Sequence, residues 1–198
     1  MQHIVISSNN KGKIAEISAI FQDLPVKVVS FEALKGVPLE IDEDGTTYEE
    51  NAIKKVQPCP ADSDCIYLGD DSGLSVDSLN GAPGIYSARY AGPNASVETA
   101  CQKLLADMAG HSDRAAHFEC CIAIKFPEGR IETVTGILRG TIATEMSGKN
   151  GFGFDPIFVP DGYSVPLAEL SSTEKNQISH RFLALVQARE QIMAACMS

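Results

Sequence analysis

The apolar positions of the chain change their spacing several times, and each change marks an element. His3 to Ser7, built around Ile4, Val5 and Ile6, reads as a short buried strand. From Lys11 to Phe21 the apolar residues return at Ile14, Ile17 and Phe21, the spacing of one helical face. Val26 to Phe31 reads as a second strand, and Tyr48 to Val56 as a helix broken by Pro58 and Pro60. Ile66 to Leu68 predicts a short strand that ends in the polar run Gly69-Asp70-Asp71-Ser72-Gly73. Asn80 to Gly84 predicts a turn, and Ser96 an N-cap for a helix reaching about Met108. Phe118 to Phe126 and Ile131 to Leu138 read as strands joined by a hairpin turn at Pro127-Glu128-Gly129-Arg130. A glycine-rich loop follows from Ser147 to Pro156, and the last helix is expected from Phe182 to Ala195. A strand, a polar turn and a helix this early in the chain point to an α/β architecture. With no repeat, linker or low-complexity tract, residues 1–198 are expected to form one domain with two lobes.

Composition narrows the classes. A chain of 198 residues suits one domain with a sizeable core. Its apolar fraction of 44% and charged fraction of 21% are those of a soluble globular protein. No apolar run approaches membrane-spanning length, and no export signal precedes His3, so a cytoplasmic protein without a membrane partner is expected. The formal charge of −10 argues against a nucleic-acid partner, which needs a basic surface. A small anion remains possible where basic residues converge or a metal ion intervenes. The six cysteines contain no Cys-x-x-Cys pair, which argues against zinc and for free, mostly buried thiols.

Five polar segments carry candidate chemistry. Ser7-Ser8-Asn9-Asn10-Lys11-Gly12-Lys13 falls between a strand and a helix, where backbone amides and the positive end of the helix dipole favour an anion. Ser8 and Asn10 offer donors and Lys13 a phosphate-neutralising charge; the alternative is a capped turn with a solvated lysine. Asp70-Asp71-Ser72-Gly73 places two carboxylates on alternating sides of an extended chain, so that Asp71 can hold a metal or take a proton from water. A simple turn held by side-chain-to-backbone bonds is the alternative. The acidic run Glu40 to Asp44 is either a solvated loop or the source of a second metal carboxylate. Beside it, Lys54 and Lys55 point in different directions round their helix, so only one of them should face a site. In Gly151-Phe152-Gly153-Phe154-Asp155-Pro156, glycines let backbone approach a ligand, while the phenylalanines either cover a base or plug the core. Lys175, His180 and Arg181 lie close together just before the last helix. They form either a solvated helix start or donors for a purine carbonyl and ring nitrogen.

Taken together, these segments resemble the inosine/xanthosine triphosphate pyrophosphatases. The matching residues are Ser8-x-Asn10-x-x-Lys13, Glu43-Asp44-Gly45, Glu50-Asn51-Ala52, Asp70 to Leu74, Gly81 to Tyr90, Gly151 to Pro156 and Ser179-His180-Arg181. They run in the family's order along nearly the whole chain. The resemblance implies an elongated two-lobed α/β fold, ITPase-like or Maf-like, with a central mixed β-sheet flanked by helices and a cleft between the lobes. It implies a homodimer that hydrolyses ITP, dITP and XTP to monophosphate and pyrophosphate. By motif match, Ser8, Asn9, Asn10, Lys11, Gly12 and Lys13 would hold the triphosphate. Glu43 and Asp71 would carry Mg²⁺, with Asp71 also the general base and Glu40 a competing metal carboxylate. Lys55 matches the family's helix lysine. Ser72, Phe152, Gly153, Phe154, Asp155, Lys175, His180 and Arg181 would line the nucleotide site. The chain departs from the family at Gly69, where alanine is common, at Phe154, where tyrosine is frequent, at Lys149-Asn150, and across Val56 to Cys65. Two rival readings stay open: a Maf-like pyrophosphatase for pyrimidine or modified nucleotides, and a non-catalytic nucleotide-binding module.

Overall fold

The structure, a computed structural model, describes residues 2–8, 10–39, 41–61 and 64–196, without the side chains of residues 11 and 196. Asn9, Glu40 and the Lys11 side chain, three of the expected or competing site groups, therefore lie outside the description. Among the described residues, six strands form one mixed sheet flanked by helices, in the order β2-β1-β3-β4-β5-β6. The strands are β1 (Gln2–Ile6), β2 (Val26–Ser30), β3 (Cys65–Val76), β4 (Ala115–Lys125), β5 (Ile131–Ile142) and β6 (Phe158–Pro160). The helices are α1 (Lys11–Phe21), α2 (Phe31–Lys35), α3 (Tyr48–Val56), α4 (Val97–Asp107), α5 (Ser172–Ile178) and α6 (His180–Cys196). β1 runs parallel to β2, with Ile4 opposite Val28, and parallel to β3, with Ile6 opposite Leu68. β6 lies antiparallel to β5.

The chain divides into two compact units. One combines residues Met1–Asp71, Cys120–Gly136 and Arg181–Ser198; the other combines Ser72–Glu119 and Ile137–His180. The first unit buries Ile4, Ile6, Ile17, Phe21, Ile66, Leu68, Ile122 and Leu185 among other apolar residues, so α1, the parallel strands and α6 share one core. The second has its own core around Leu74, Leu104, Phe118, Phe154 and Phe158.

α1 and α3 have the bounds the spacing predicts, and Ser96 caps α4 by accepting the Thr99 N–H at 3.1 Å. Three expectations need correction. β3 does not stop at Leu68: it continues through Asp70, Asp71 and Ser72 to Val76. Polar residues persist inside a buried strand when their side chains find partners, and both aspartates do. Phe31 starts α2 instead of ending β2, because the Ser30 hydroxyl accepts the Ala33 N–H at 3.1 Å and caps a helix there. The charged run expected before the last helix is itself helical: Lys175 lies in α5, while His180 and Arg181 open α6, which starts at His180 and not at Phe182. Ser171 and Glu174 form a reciprocal capping box, with the Ser171 N–H donating to Glu174 Oε2 at 3.0 Å and the Glu174 N–H to Ser171 Oγ at 3.2 Å. Among the described residues no helix is long and apolar enough to cross a membrane.

Candidate active site

Neighbouring residues on a strand point to opposite faces, so β3 sends Asp70 and Asp71 to different partners. Asp70 is buried, and its Oδ2 accepts from Lys13 Nζ at 2.8 Å and from Arg181 Nε at 3.2 Å. Arg181 also donates through Nη1 to Glu16 Oε2 at 2.8 Å. Lys13 and Glu16 stand on α1 and Arg181 on the first turn of α6, so one carboxylate ties two helices to the strand. Burial by itself would raise the Asp70 pKa. The charges of Lys13 and Arg181 outweigh it and hold the carboxyl well below the usual carboxylate range.

On the other side, Asp71 Oδ1 accepts from Lys55 Nζ at 3.1 Å and Oδ2 from Asn51 Nδ2 at 3.1 Å. Lys55 also donates to the Asp70 carbonyl at 2.8 Å and pairs with Glu43 Oε1 at 3.2 Å. Burial would lower the Lys55 pKa, but the Asp71, Asp70 and Glu43 carboxylates more than reverse this and raise it. Lys54 pairs instead with the exposed Asp44, so only one of the two adjacent lysines reaches the carboxylates. Asn51 and Lys55 are four residues apart and share a helix face. Asn51 Oδ1 also accepts the Gly45 N–H at 2.8 Å, which fastens the acidic loop to the same helix. Gly69 lets α3 lie directly on β3: a Cβ there would stand 2.7 Å from both the Ala52 carbonyl oxygen and the Lys55 Cβ.

The donor set fits a hard divalent cation. Asp71 and Glu43 bring carboxylate oxygens to one ammonium, and Mg²⁺ ordinarily takes one or two protein carboxylates and completes its shell with phosphate and water. No described group of three or more His, Cys, Asp or Glu side chains forms a cage of its own. The anion expectation at the start of α1 changes in detail. Asn10 Oδ1 accepts the Gly12 N–H at 2.9 Å and the Lys13 N–H at 3.2 Å, and Ser8 Oγ accepts the Asn10 N–H at 3.2 Å. The amides of Asn10, Gly12 and Lys13, expected to face an anion, are thus already bonded within the segment. The Lys13 ammonium is the described charge that remains there, and Asp70 holds it.

The second unit contains the remaining expected residues. Asp155 is buried, and its Oδ2 accepts from the Phe152 N–H at 2.6 Å and from Lys175 Nζ at 2.5 Å. The Lys175 ammonium also sits 4.1 Å from the centre of the Phe152 ring, a cation–π contact. Gly151 makes this turn possible: its φ is +81°, and a Cβ there would collide with Asp155 Oδ2. The two loop phenylalanines divide the roles left open by the sequence. Phe152 is exposed, whereas Phe154 is a core residue whose ring meets Tyr90 edge-on at 6.3 Å. Gly153 bridges them, its carbonyl accepting from the buried Cys101 thiol at 3.6 Å. Burial, with Asp155 nearby, pushes that thiol up to about 12. His180 is buried and stacks on Phe118 at 4.8 Å, while Ser72 is half-buried on β3.

Arg181 is the expected site residue with the least expected surroundings, being engaged by Asp70 and Glu16. Sequence reasoning missed Asn51, Asp70 and Glu16 as participants. The Asn51–Lys55 interval was the available signal for the first, while Glu16 and Asp70 meet Arg181 only through tertiary contact.

A model of the Ham1 family matches residues 4–191. The dITP/XTP pyrophosphatase of Geobacter sulfurreducens is 42% identical over 194 residues, covering 97% of each chain. That of Leuconostoc mesenteroides is 47% identical over 189 residues, covering 92% of each. Among solved structures, a Ham1 protein from Coxiella burnetii matches with a TM-score of 0.89 and 41% identity over 98% of this chain and 100% of that one. The Staphylococcus aureus Ham1 protein matches with a TM-score of 0.88 and 40% identity over the same shares. Fold, motif order and full-length similarity agree: the chain belongs to the Ham1 family.

Proposed function

We propose that the chain hydrolyses deaminated purine nucleoside triphosphates, ITP, dITP and XTP, to the monophosphate and pyrophosphate. The reading is carried by full-length similarity to dITP/XTP pyrophosphatases, and the charged cluster around β3 gives it a mechanism. The pyrimidine-directed and non-catalytic readings gain nothing from these relatives. Residues 1–198 work as one pyrophosphatase domain, in the cytoplasm and as a homodimer; the free, buried cysteines support the cytoplasm, and the resemblance supports the homodimer.

Water attacks the α-phosphorus and the α–β anhydride bond breaks, releasing pyrophosphate. Asp71 orients the water and takes its proton. Lys55 and Asn51 each hold one of its oxygens and so fix the direction of the carboxylate. Lys13 exchanges its contact with Asp70 for a phosphate oxygen, with Ser8, Asn9, Asn10, Lys11 and Gly12 beside it. Asp71 and Glu43 would hold the metal, with Mg²⁺ the ion proposed, and when bound it would supply charge to neutralise phosphate oxygens and the leaving pyrophosphate. Phe152 offers an exposed ring to the base, while Ser72, Gly153, Phe154, Asp155, Lys175, His180 and Arg181 complete or support the nucleotide site. A donor that fits the purine 6-carbonyl faces a second donor when adenine is bound. Leaving a buried donor unpaired costs about 1–3 kcal/mol, or about 5- to 150-fold in selectivity.

With Mg²⁺, the protein should release pyrophosphate from ITP, dITP or XTP much faster than from ATP or GTP. Equal rates across the five refute the selectivity, and orthophosphate as the product refutes the assigned bond. Asp71→Asn should abolish turnover with unchanged circular dichroism, and full activity in that variant removes Asp71 from its role.

A further inference from the structure

Helix α3 carries both side chains that grip Asp71, yet its C-terminal end is abrupt. Pro58 and Pro60 bring no backbone N–H to satisfy its last carbonyls. Cys59 supplies part of the missing cap: its N–H donates to the Val56 carbonyl at 3.0 Å and its thiol to the Lys55 carbonyl at 3.8 Å. A second fastening, on the C-cap residue Gln57 and on Cys59 just beyond it, comes from the last residue of β4, distant in sequence. Lys125 Nζ donates to the Gln57 carbonyl at 2.9 Å and to the Cys59 carbonyl at 2.5 Å. Lys125 is buried, and among the described residues no carboxylate pairs with it. A buried ammonium is costly unless its donors are satisfied, and here the carbonyl of the helix C-cap, at the partly negative end of α3, and that of Cys59 just beyond it satisfy them.

We propose that Lys125 is a positioning residue for the hydrolytic centre. It clamps the C-terminal end of α3 so that Lys55 and Asn51 reach Asp71 across the close contact at Gly69. The inference rests on the reading of Asp71 above. Loss of the clamp frees the last turn of α3, which carries Lys55 itself, and leaves Lys13 and the base-binding residues on other elements.

The test uses the full chain with Mg²⁺ and dITP. Lys125→Met should lower kcat about tenfold while KM changes less than twofold. Amide exchange across residues 53–59, measured without nucleotide, should speed up at least tenfold relative to α1. Lys125→Arg, which can donate to the same carbonyls, should recover most of kcat. Val134→Ala in the core of the same unit serves as a control of comparable urea midpoint and should keep kcat within twofold. If Lys125→Met does not fold, Lys125→Gln takes its place with the same expectations. Unchanged kcat in the lysine variant, or an equal fall in the control, overturns the clamp. A wild-type protein that leaves dITP intact refutes the functional reading instead, and the exchange measurement still decides whether Lys125 holds the helix.

Discussion

Asp70 shows most clearly how single residues are paired here. Its carboxylate lies between cations from α1 and α6, so removing its charge leaves Lys13 and Arg181 facing a neutral oxygen. Asp70→Asn should cost about 3–5 kcal/mol near neutral pH, as breaking a buried pair generally does. The pH dependence has a definite sign. The folded-state pKa lies below the unfolded value of about 3.9. Its contribution is therefore complete above that value and fades as pH falls toward the folded one. Urea midpoints at pH 7, 5, 4 and 3 should drop more steeply below pH 4 in the wild type than in Asp70→Asn, and parallel curves would disprove the linkage. At this scale the sequence was partly legible. Alternation along a strand separated Asp70 from Asp71, and the helical angle separated Lys54 from Lys55. Neither rule could assign Arg181 to Asp70, because that pairing joins residues 111 positions apart.

Among the elements, the loop from Gly151 to Asp155 tolerates little added volume. A methyl at Gly151 would collide with Asp155 Oδ2 and demand a positive φ from alanine. Gly151→Ala should displace that carboxylate from the Phe152 N–H and from Lys175. Expected are a loss of about 1–3 kcal/mol in urea unfolding and a KM for dITP at least fivefold higher; an unchanged KM would separate the loop from the nucleotide. Elements with a clean apolar spacing or a local cap, such as α1, α3 and α4, were readable from the sequence. β3 was not, since its continuation depends on partners for Asp70 and Asp71 that come from other elements. α5 was hidden for a different reason: it is a short polar helix, and its signal was the Ser171–Glu174 capping box, not an apolar stripe.

For the whole molecule, the acidic balance and an anionic substrate are reconciled locally. Each described candidate cation of lysine or arginine type already touches a carboxylate: Lys13, Lys55, Lys175 and Arg181. The site therefore presents paired charges, not a net positive field, and long-range steering should be weak. Between 20 and 200 mM salt, kcat/KM for dITP should vary by less than about threefold, since screening has little net attraction to remove. A tenfold fall would reveal a basic funnel instead. The α/β class was legible from the alternation of strands and helices. The division into two units was less so, because each is assembled from separated stretches of chain, and the contacts that join those stretches within a unit leave no periodic trace. That discontinuity has a consequence during synthesis on the ribosome. Asp70 emerges long before Arg181, whose segment is the last contribution to its unit. Until that segment appears, the nascent strand carries a carboxylate with Lys13 but without its guanidinium. The first unit cannot close in the order in which it is made, and its completion waits until the segment that opens at Arg181 has been synthesised.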